Sequence, residues 1–170
     1  MGIQYFDPTT ERDTRSMFLK YRRKFIICPD QWETLQGQHE TLDWKEVHFQ
    51  PSNQESLPEK EGLYMFMASP KKLNASFLNY LLYVGETDNL RRRFGDYLRK
   101  RDSPKSGQYK VYTIIDDFPE HLHFRYIELE GYDMKKRREL ETQFLIAFLP
   151  PINSRFPQQL QSIIEGAYGQ

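Results

Sequence analysis

Two apolar segments of strand length, together with the helix that directly follows the second, constrain the fold of this chain more than any other feature. The segments run from Leu63 to Ala68 and from Asn79 to Val84, and the loop-forming stretch SPKKLNAS separates them. Such segments predict a β-hairpin with a long connection. Apolar residues then recur at helical spacing from about Leu90 to Arg101, which predicts an amphipathic helix packed against the hairpin.

The remaining patterned segments add strands and helices on both sides of this unit. The predicted strands are Val47 to Gln50, Val111 to Ile115 and His123 to Leu129, and the predicted helices are Thr9 to Phe25, Gln31 to Gln36, Met134 to Leu149 and Gln158 to Ala167. Helix caps are predicted at Asp30, at Thr87 or Asp88, and at Asp133.

These elements predict an α+β fold with a small, central, mainly antiparallel three-stranded sheet flanked by helices. The loop formers PSNQESLPEKEG, residues 51–61, mark the expected domain boundary. We therefore expect a mainly helical N-terminal extension over residues 1–56, a central domain over residues 57–156, and a tail over residues 157–170 that forms a short helix.

Charge and cysteine content limit the class of protein. The 24 Lys and Arg residues balance 24 Asp and Glu residues, so any basic surface must be local. Cys28 is the only cysteine, which excludes a disulfide framework and a cysteine-rich zinc site. The N-terminus lacks an apolar signal region, and no stretch approaches the ~20 apolar residues of a membrane helix. We expect a cytoplasmic protein in a reducing compartment, with no membrane partner.

Three residues on the predicted helices, Arg93, Tyr97 and Glu141, carry side chains suited to a functional site. Arg93 and Tyr97 are four residues apart, so they share one face of a helix whose N-terminus favours an anion. Glu141 lies beside the apolar stripe of the helix that begins at Met134, and a carboxylate there is costly unless it is paired or binds a metal. Arg137 and Arg138, one turn earlier, offer the alternative of an ion pair.

Four ordered motifs resemble those of the GIY-YIG nucleases. They are Gly62-Leu63-Tyr64, Tyr83-Val84-Gly85, Asn89-Leu90 with Arg93, and the acidic helix with its terminal Pro-x-x-Asn, LETQFLIAFLPPIN. The lead-in LPEKEGLYMF is similar to that of the nucleotide-excision-repair branch of the family. The resemblance covers roughly residues 57–156.

The resemblance implies roles for individual residues. Tyr64 and Tyr83 would be the paired motif tyrosines, one of which positions the attacking water or acts as general base. Arg93 would bind the scissile phosphate, and Tyr97 would help to activate the nucleophile or orient the phosphate. Glu141 would be the only protein carboxylate on a divalent metal, Mg²⁺, for which Mn²⁺ would substitute. The supporting residues would be Gly62, Gly85, Asn89 and Asn153.

A tyrosine base places a condition on the site. An ordinary tyrosine has a pKa of ~10, so it is a poor base at neutral pH. A cation such as Arg93 or the metal would have to lower the pKa of that hydroxyl.

Other residues have both a structural and a functional interpretation. The remaining basic residues of the first helix form either a solvated face or a surface that follows DNA phosphates; they are Arg91, Arg92, Arg99, Lys100 and Arg101. His121 and His123 are interpreted as strand-edge histidines, and Asp116-Asp117 as part of a turn. Trp32 and Trp44 are expected in a core or an interface.

We therefore expect a metal-dependent endonuclease that hydrolyses phosphodiester bonds in DNA. It would be a non-specific or structure-directed nuclease, or the nuclease subunit of a larger defence or mobile-element system. Residues 1–56 carry no recognised DNA-reading motif, and they would contact DNA, mediate homo-oligomerisation or dock onto a partner subunit. The alternative is a catalytically idle fold of the same family that binds nucleic acid or protein.

Overall fold

The computed structural model of the protein describes residues 19–38, 42–70, 78–99, 109–158 and 160–161. Within these ranges a four-stranded sheet lies between two layers of helices. In chain order the elements are α1 Pro29–Gln38, β1 Lys45–His48, a 3-10 helix Pro51–Ser56, β2 Gly62–Ala68, β3 Tyr80–Thr87, α2 Leu90–Arg99, α3 Tyr109–Asp117, β4 Leu122–Glu128 and α4 Met134–Phe148. None of the described helices is both long enough and apolar enough to cross a membrane.

The sheet has the order β1-β4-β2-β3, and all of its strand pairs are antiparallel. The predicted α+β class and the predicted hairpin are confirmed, with β2 and β3 paired from Gly62 and Thr87 to Ala68 and Tyr80. The sheet contains four strands where three were predicted. The additional edge strand is β1, which pairs with β4 in a register that sets Val47 opposite Phe124.

Alternate residues of β2 serve two separate cores, which explains why all seven residues of this strand are buried. Tyr64 and Phe66 point into the core that contains α2 and α3. Leu63 and Met65 point to the opposite face, where α4 packs. Because each helix layer covers one face of the hairpin, residues of β2 and β3 can meet residues of both layers at one end of the sheet.

The segment from Val111 to Ile115 is helical, and its prediction as a strand was wrong. It forms the centre of α3, in which Val111, Tyr112, Ile114 and Ile115 are buried. This spacing of one, three and four residues is that of one helix face. Its β-branched and aromatic residues favoured a strand, and packing against the sheet overrides that weak preference.

The helix ends differ from prediction at α2 and α1. Asn89 caps α2, since its side-chain oxygen accepts from the backbone N–H of Arg92 at 2.8 Å, whereas Thr87 or Asp88 was predicted as the cap. Thr87 instead accepts from the backbone N–H of Asn89 at 3.1 Å. The predicted cap Asp133 is confirmed at α4.

At α1 the predicted helix is confirmed, but it begins at Pro29, so Asp30 lies inside its first turn rather than at its cap. Most of the helix predicted over residues 9–25 lies outside the described residues, and so does most of the predicted tail helix. The described end of the former is helical to Tyr21 and not beyond.

Candidate active site

The hydroxyl groups of two tyrosines from different elements meet at the end of the hairpin. Tyr64 lies on β2 and Tyr97 on α2, and their hydroxyl oxygens are 2.9 Å apart. Tyr83, on the neighbouring strand β3, places its ring 6.1 Å from that of Tyr64. Gly85 makes this arrangement possible, because a Cβ atom there would lie 2.5 Å from the Tyr64 hydroxyl oxygen. The motif glycine therefore leaves the space that this hydroxyl occupies.

All three tyrosine hydroxyls have raised pKa values in this arrangement. Burial raises the pKa of Tyr64 and of Tyr97 well above the ordinary value, and it raises the pKa of Tyr83 as well. The positive charge of Arg93 lowers each of these pKa values, but by less than burial raises them. The condition set by the sequence, that Arg93 or a metal lowers a tyrosine pKa, is not met by Arg93. All three groups are neutral hydroxyls at neutral pH.

Arg93 extends from the first turn of α2 beside these rings and is half-buried. Its charge interacts with Tyr64, Tyr97 and Tyr83. In the described ranges no carboxylate forms an ion pair with it. Its guanidinium is therefore available to an anion, and its planar group can bind a phosphate in a bidentate way.

Glu141 of α4 faces the same region from the other helix layer. Burial, and then the nearby carboxylate of Glu86, raise the pKa of Glu141 to about 7, while the backbone of Glu86 and the charges of Arg138 and Arg93 oppose the rise. Among the described ion pairs none involves Glu141. Arg137 and Arg138, the alternative ion-pair partners of Glu141, instead approach Glu86 at 3.2 and 3.7 Å.

One cavity of about 780 Å³ collects these side chains. Seven of the residues predicted from the sequence line it: Tyr64, Tyr83, Gly85, Arg93, Tyr97, Glu141 and Asn153. Gly62 and Asn89 lie outside it and have scaffold roles. Asn89 caps α2, and a Cβ atom at Gly62 would lie 2.2 Å from the carbonyl oxygen of Ile127, so Gly62 permits the close pairing of β2 and β4.

Asn153 joins the chain after α4 to strand β3. Its side-chain oxygen accepts from the backbone N–H of Val84 at 2.9 Å, and its amide donates to the Val84 carbonyl at 2.8 Å. Leu149, in the left-handed conformation, ends α4 and turns the chain toward this contact. The segment after α4 is thus fixed next to the strand that carries Tyr83.

Three of the other basic residues predicted on the helix after the hairpin, Arg91, Arg92 and Arg99, lie outside the cavity. Arg91 donates to the Leu57 carbonyl at 2.8 Å and pairs with Glu59 at 2.7 Å. Arg92 pairs with Asp88, and Arg99 pairs with Asp96 at 3.0 Å. Lys100 and Arg101 lie outside the described residues.

Four charged residues that were not predicted as site residues also line the cavity: Glu86, Lys110, Arg138 and Arg155. A charged residue directly after the motif glycine was the one available indication for Glu86. Lys110 could not be placed, because the residues directly after it, Val111 to Ile115, were predicted as a strand. His123 lies near Glu46 at 3.2 Å and Asp117 pairs with Arg23 at 2.9 Å, both outside the cavity. The prediction of Asp116-Asp117 as part of a turn was wrong, since the two residues end α3. In the described ranges no cluster of three potential metal-binding side chains occurs.

The sequence profile of the GIY-YIG catalytic domain matches residues 60–153. Among solved structures, the chain is similar to the GIY-YIG N-terminal endonuclease domain of UvrC from Thermotoga maritima, a point mutant bound to its catalytic divalent cation. The two share 19% identity over 62% of this chain and 99% of that chain, with a TM-score of 0.43. A search of the curated proteins gives no significant match. Since the profile covers more than half of its length, the chain belongs to the GIY-YIG catalytic domain family.

Proposed function

We propose that the protein is a divalent-metal-dependent endonuclease that hydrolyses phosphodiester bonds in DNA within this cavity. One observation carries the proposal: three tyrosines, an arginine with no ion pair to a described residue, and a partly buried carboxylate from the opposite helix layer line the same cavity. Phosphodiester hydrolysis needs a cation for the growing phosphate charge, a positioned water and stabilisation of the leaving oxygen. A module that only binds has no need for a carboxylate next to an anion-binding arginine.

Glu141 is the residue that would hold the metal ion, Mg²⁺ or Mn²⁺. Its carboxylate fits this role because it is partly buried, forms no ion pair in the described ranges, and has a second carboxylate, Glu86, close by. Hard divalent cations prefer such oxygen donors, and Mg²⁺ is commonly bound through one or two carboxylates. When bound, the ion acts as a Lewis acid for phosphate oxygens.

Arg93 would bind the non-bridging oxygens of the scissile phosphate and offset the charge that grows on them. The neutral hydroxyls of Tyr64 and Tyr83 would orient the attacking water or donate to the phosphate. Tyr64 is 2% exposed and its hydroxyl is hydrogen-bonded to that of Tyr97, whereas Tyr83 is only partly buried. Tyr83 is thus better placed to touch substrate, and Tyr64 and Tyr97 to hold it in position.

In this proposal residues 57–156 form the nuclease domain, residues 1–56 an extension, and residues 157–170 a tail. A non-specific or structure-directed nuclease, or the nuclease subunit of a larger defence or mobile-element system, agrees best with the absence of a recognised DNA-reading motif. Oligomerisation or subunit docking would take place through residues 1–56. The cytoplasm would be its compartment.

The deciding experiment is nicking of supercoiled plasmid in the presence of Mg²⁺ or Mn²⁺. We expect the wild-type protein to cut, EDTA to stop it, and Arg93→Ala and Glu141→Gln to lose at least ~10²-fold in rate, as for removal of a transition-state donor. Glu139→Gln is the matched control, since this exposed glutamate lies on the same helix outside the cavity. Equal activity of all preparations would identify a contaminant. Absence of cutting with intact DNA binding would favour the idle fold.

A further inference from the structure

We infer that Lys110 and Arg155 bind backbone phosphates of the DNA next to the phosphate held by Arg93. The inference rests on the proposed function and names the surface along which the substrate strand runs. The basic residues that contact DNA would then come from α3 and from the segment after α4, and not from the basic face of α2.

Charge compensation separates the two groups of basic residues. Arg91, Arg92 and Arg99 on α2 each pair with a carboxylate of the chain. Lys110 and Arg155 are exposed, line the cavity, and form no ion pair with any described residue. A DNA phosphate can therefore bind them without displacing an internal partner. The chain as a whole is neutral, so this uncompensated charge is a local feature.

The backbone places both residues at the cavity in a defined way. Lys110 is the second residue of α3, and the next residue, Val111, is buried in the core beside the sheet. Arg155 follows Asn153 by two positions, and Asn153 is fixed to Val84 by two hydrogen bonds. The backbone near each of the two residues is thus fixed by neighbouring contacts, and both side chains line the same cavity as Arg93.

The size of the cavity agrees with more than one phosphate. Each DNA strand carries one negative charge per ~3.4 Å of helix axis, so the phosphates that flank the scissile one lie within reach of the rim. Each additional Lys–phosphate or Arg–phosphate contact releases counterions. Such a contact steepens the dependence of log K on log salt by ~0.9 on duplex DNA.

The test measures binding alone. Fluorescence anisotropy of a labelled duplex is followed from ~50 to ~200 mM salt in EDTA, in a Glu141→Gln background that does not cut. We expect Lys110→Ala and Arg155→Ala each to lower the salt slope by ~0.9 and to weaken binding several-fold at low salt. Lys110→Arg and Arg155→Lys should keep the slope. Lys60→Ala is the control, because Lys60 is an exposed lysine paired with Glu130 at 3.1 Å outside the cavity.

An unchanged slope in both alanine variants, an equal loss in Lys60→Ala, or no salt-dependent binding at all would overturn the inference. Plasmid nicking by the wild-type protein, measured in parallel, separates this failure from that of the proposed function. Cutting with unchanged slopes refutes the phosphate contacts alone. Reduced slopes without cutting refute the nuclease and leave the phosphate contacts in place.

Discussion

Two single residues shape the site in different ways, one through its missing side chain and the other through its charge. Gly85 leaves space for the Tyr64 hydroxyl. Glu141 forms no ion pair with the described residues, while the two arginines near it, Arg137 and Arg138, approach Glu86. Neither feature follows from the sequence, since the first depends on how β2 pairs with β3 and the second on which residues of β3 face α4. The motif order did predict which side chains gather at the cavity. It did not predict that Glu86 lines the cavity. It also did not predict that the tyrosine pKa values rise, because that rise comes from burial in the folded chain.

The raised pKa of Glu141 predicts a pH-dependent cost to stability. The folded protein holds this proton up to about pH 7, whereas the unfolded chain releases it near 4.5. The folded state therefore binds more protons between these values, and stability falls as pH rises through this window. With a difference of ~2.5 pKa units, the ionised carboxylate costs about 3 kcal/mol at pH 8.

Glu141→Gln should therefore be more stable than wild type at pH 8 in EDTA, and the gain should shrink toward pH 4. Urea unfolding of both proteins at the two pH values measures the difference and cancels the titration of other groups. Glu139→Gln, at an exposed position of the same helix, should show no such change. The same difference at both pH values would contradict the assignment of Glu141 as a carboxylate strained by burial.

Among the elements, those with a clear apolar period were predictable and those defined by tertiary contacts were not. The hairpin of β2 and β3 and the helix α2 follow from their apolar periods, and α4 follows from its period and its predicted cap Asp133. The helix α3 was missed because its apolar residues are β-branched and aromatic, and the role of β1 as an edge strand depends on its partner β4. Because this helix was not predicted, Lys110 could not be assigned to the cavity that it lines.

The helix α4, which carries Glu141, is held at its C-terminal end by α1. The indole N–H of Trp32 donates to the Ala147 carbonyl at 2.7 Å, and its ring stacks on Phe148. Carbonyls in the last turn of a helix have no partner within the helix, so this bond satisfies one of them. Residues before the family domain thus stabilise the helix that positions the acidic group.

Trp32→Phe should keep the ring contact and lose the hydrogen bond, with a loss of ~1 kcal/mol in the free energy of unfolding. Trp44→Phe is the matched control, because Trp44 packs edge-on against Phe144 and its indole makes no hydrogen bond to a described residue. Urea unfolding compares the two variants. An equal loss in both would show that ring shape, and not the bond to Ala147, is what α1 contributes.

At the scale of the whole molecule, the family domain and the residues before it share one sheet. The strand β1 precedes the matched region and pairs with β4, while α1 covers α4. In the described part of the chain, Arg93 and Glu141 line the same cavity. If the proposed function is correct, one such site would hold one scissile phosphate at a time. Cutting of both DNA strands would then need a second copy, a partner subunit or two successive events.

Supercoiled plasmid should therefore first become open circles, and linear DNA should appear only after these accumulate. A time course on agarose gels, repeated over a wide range of protein concentration, measures the order of the products. For a protein that acts as a single copy, the ratio of the nicking rate to the linearisation rate should not change with protein concentration. Linear product without an open-circle phase would contradict independent nicking. It would mean that two copies bring two cavities to opposite strands, which makes the oligomer the cutting unit.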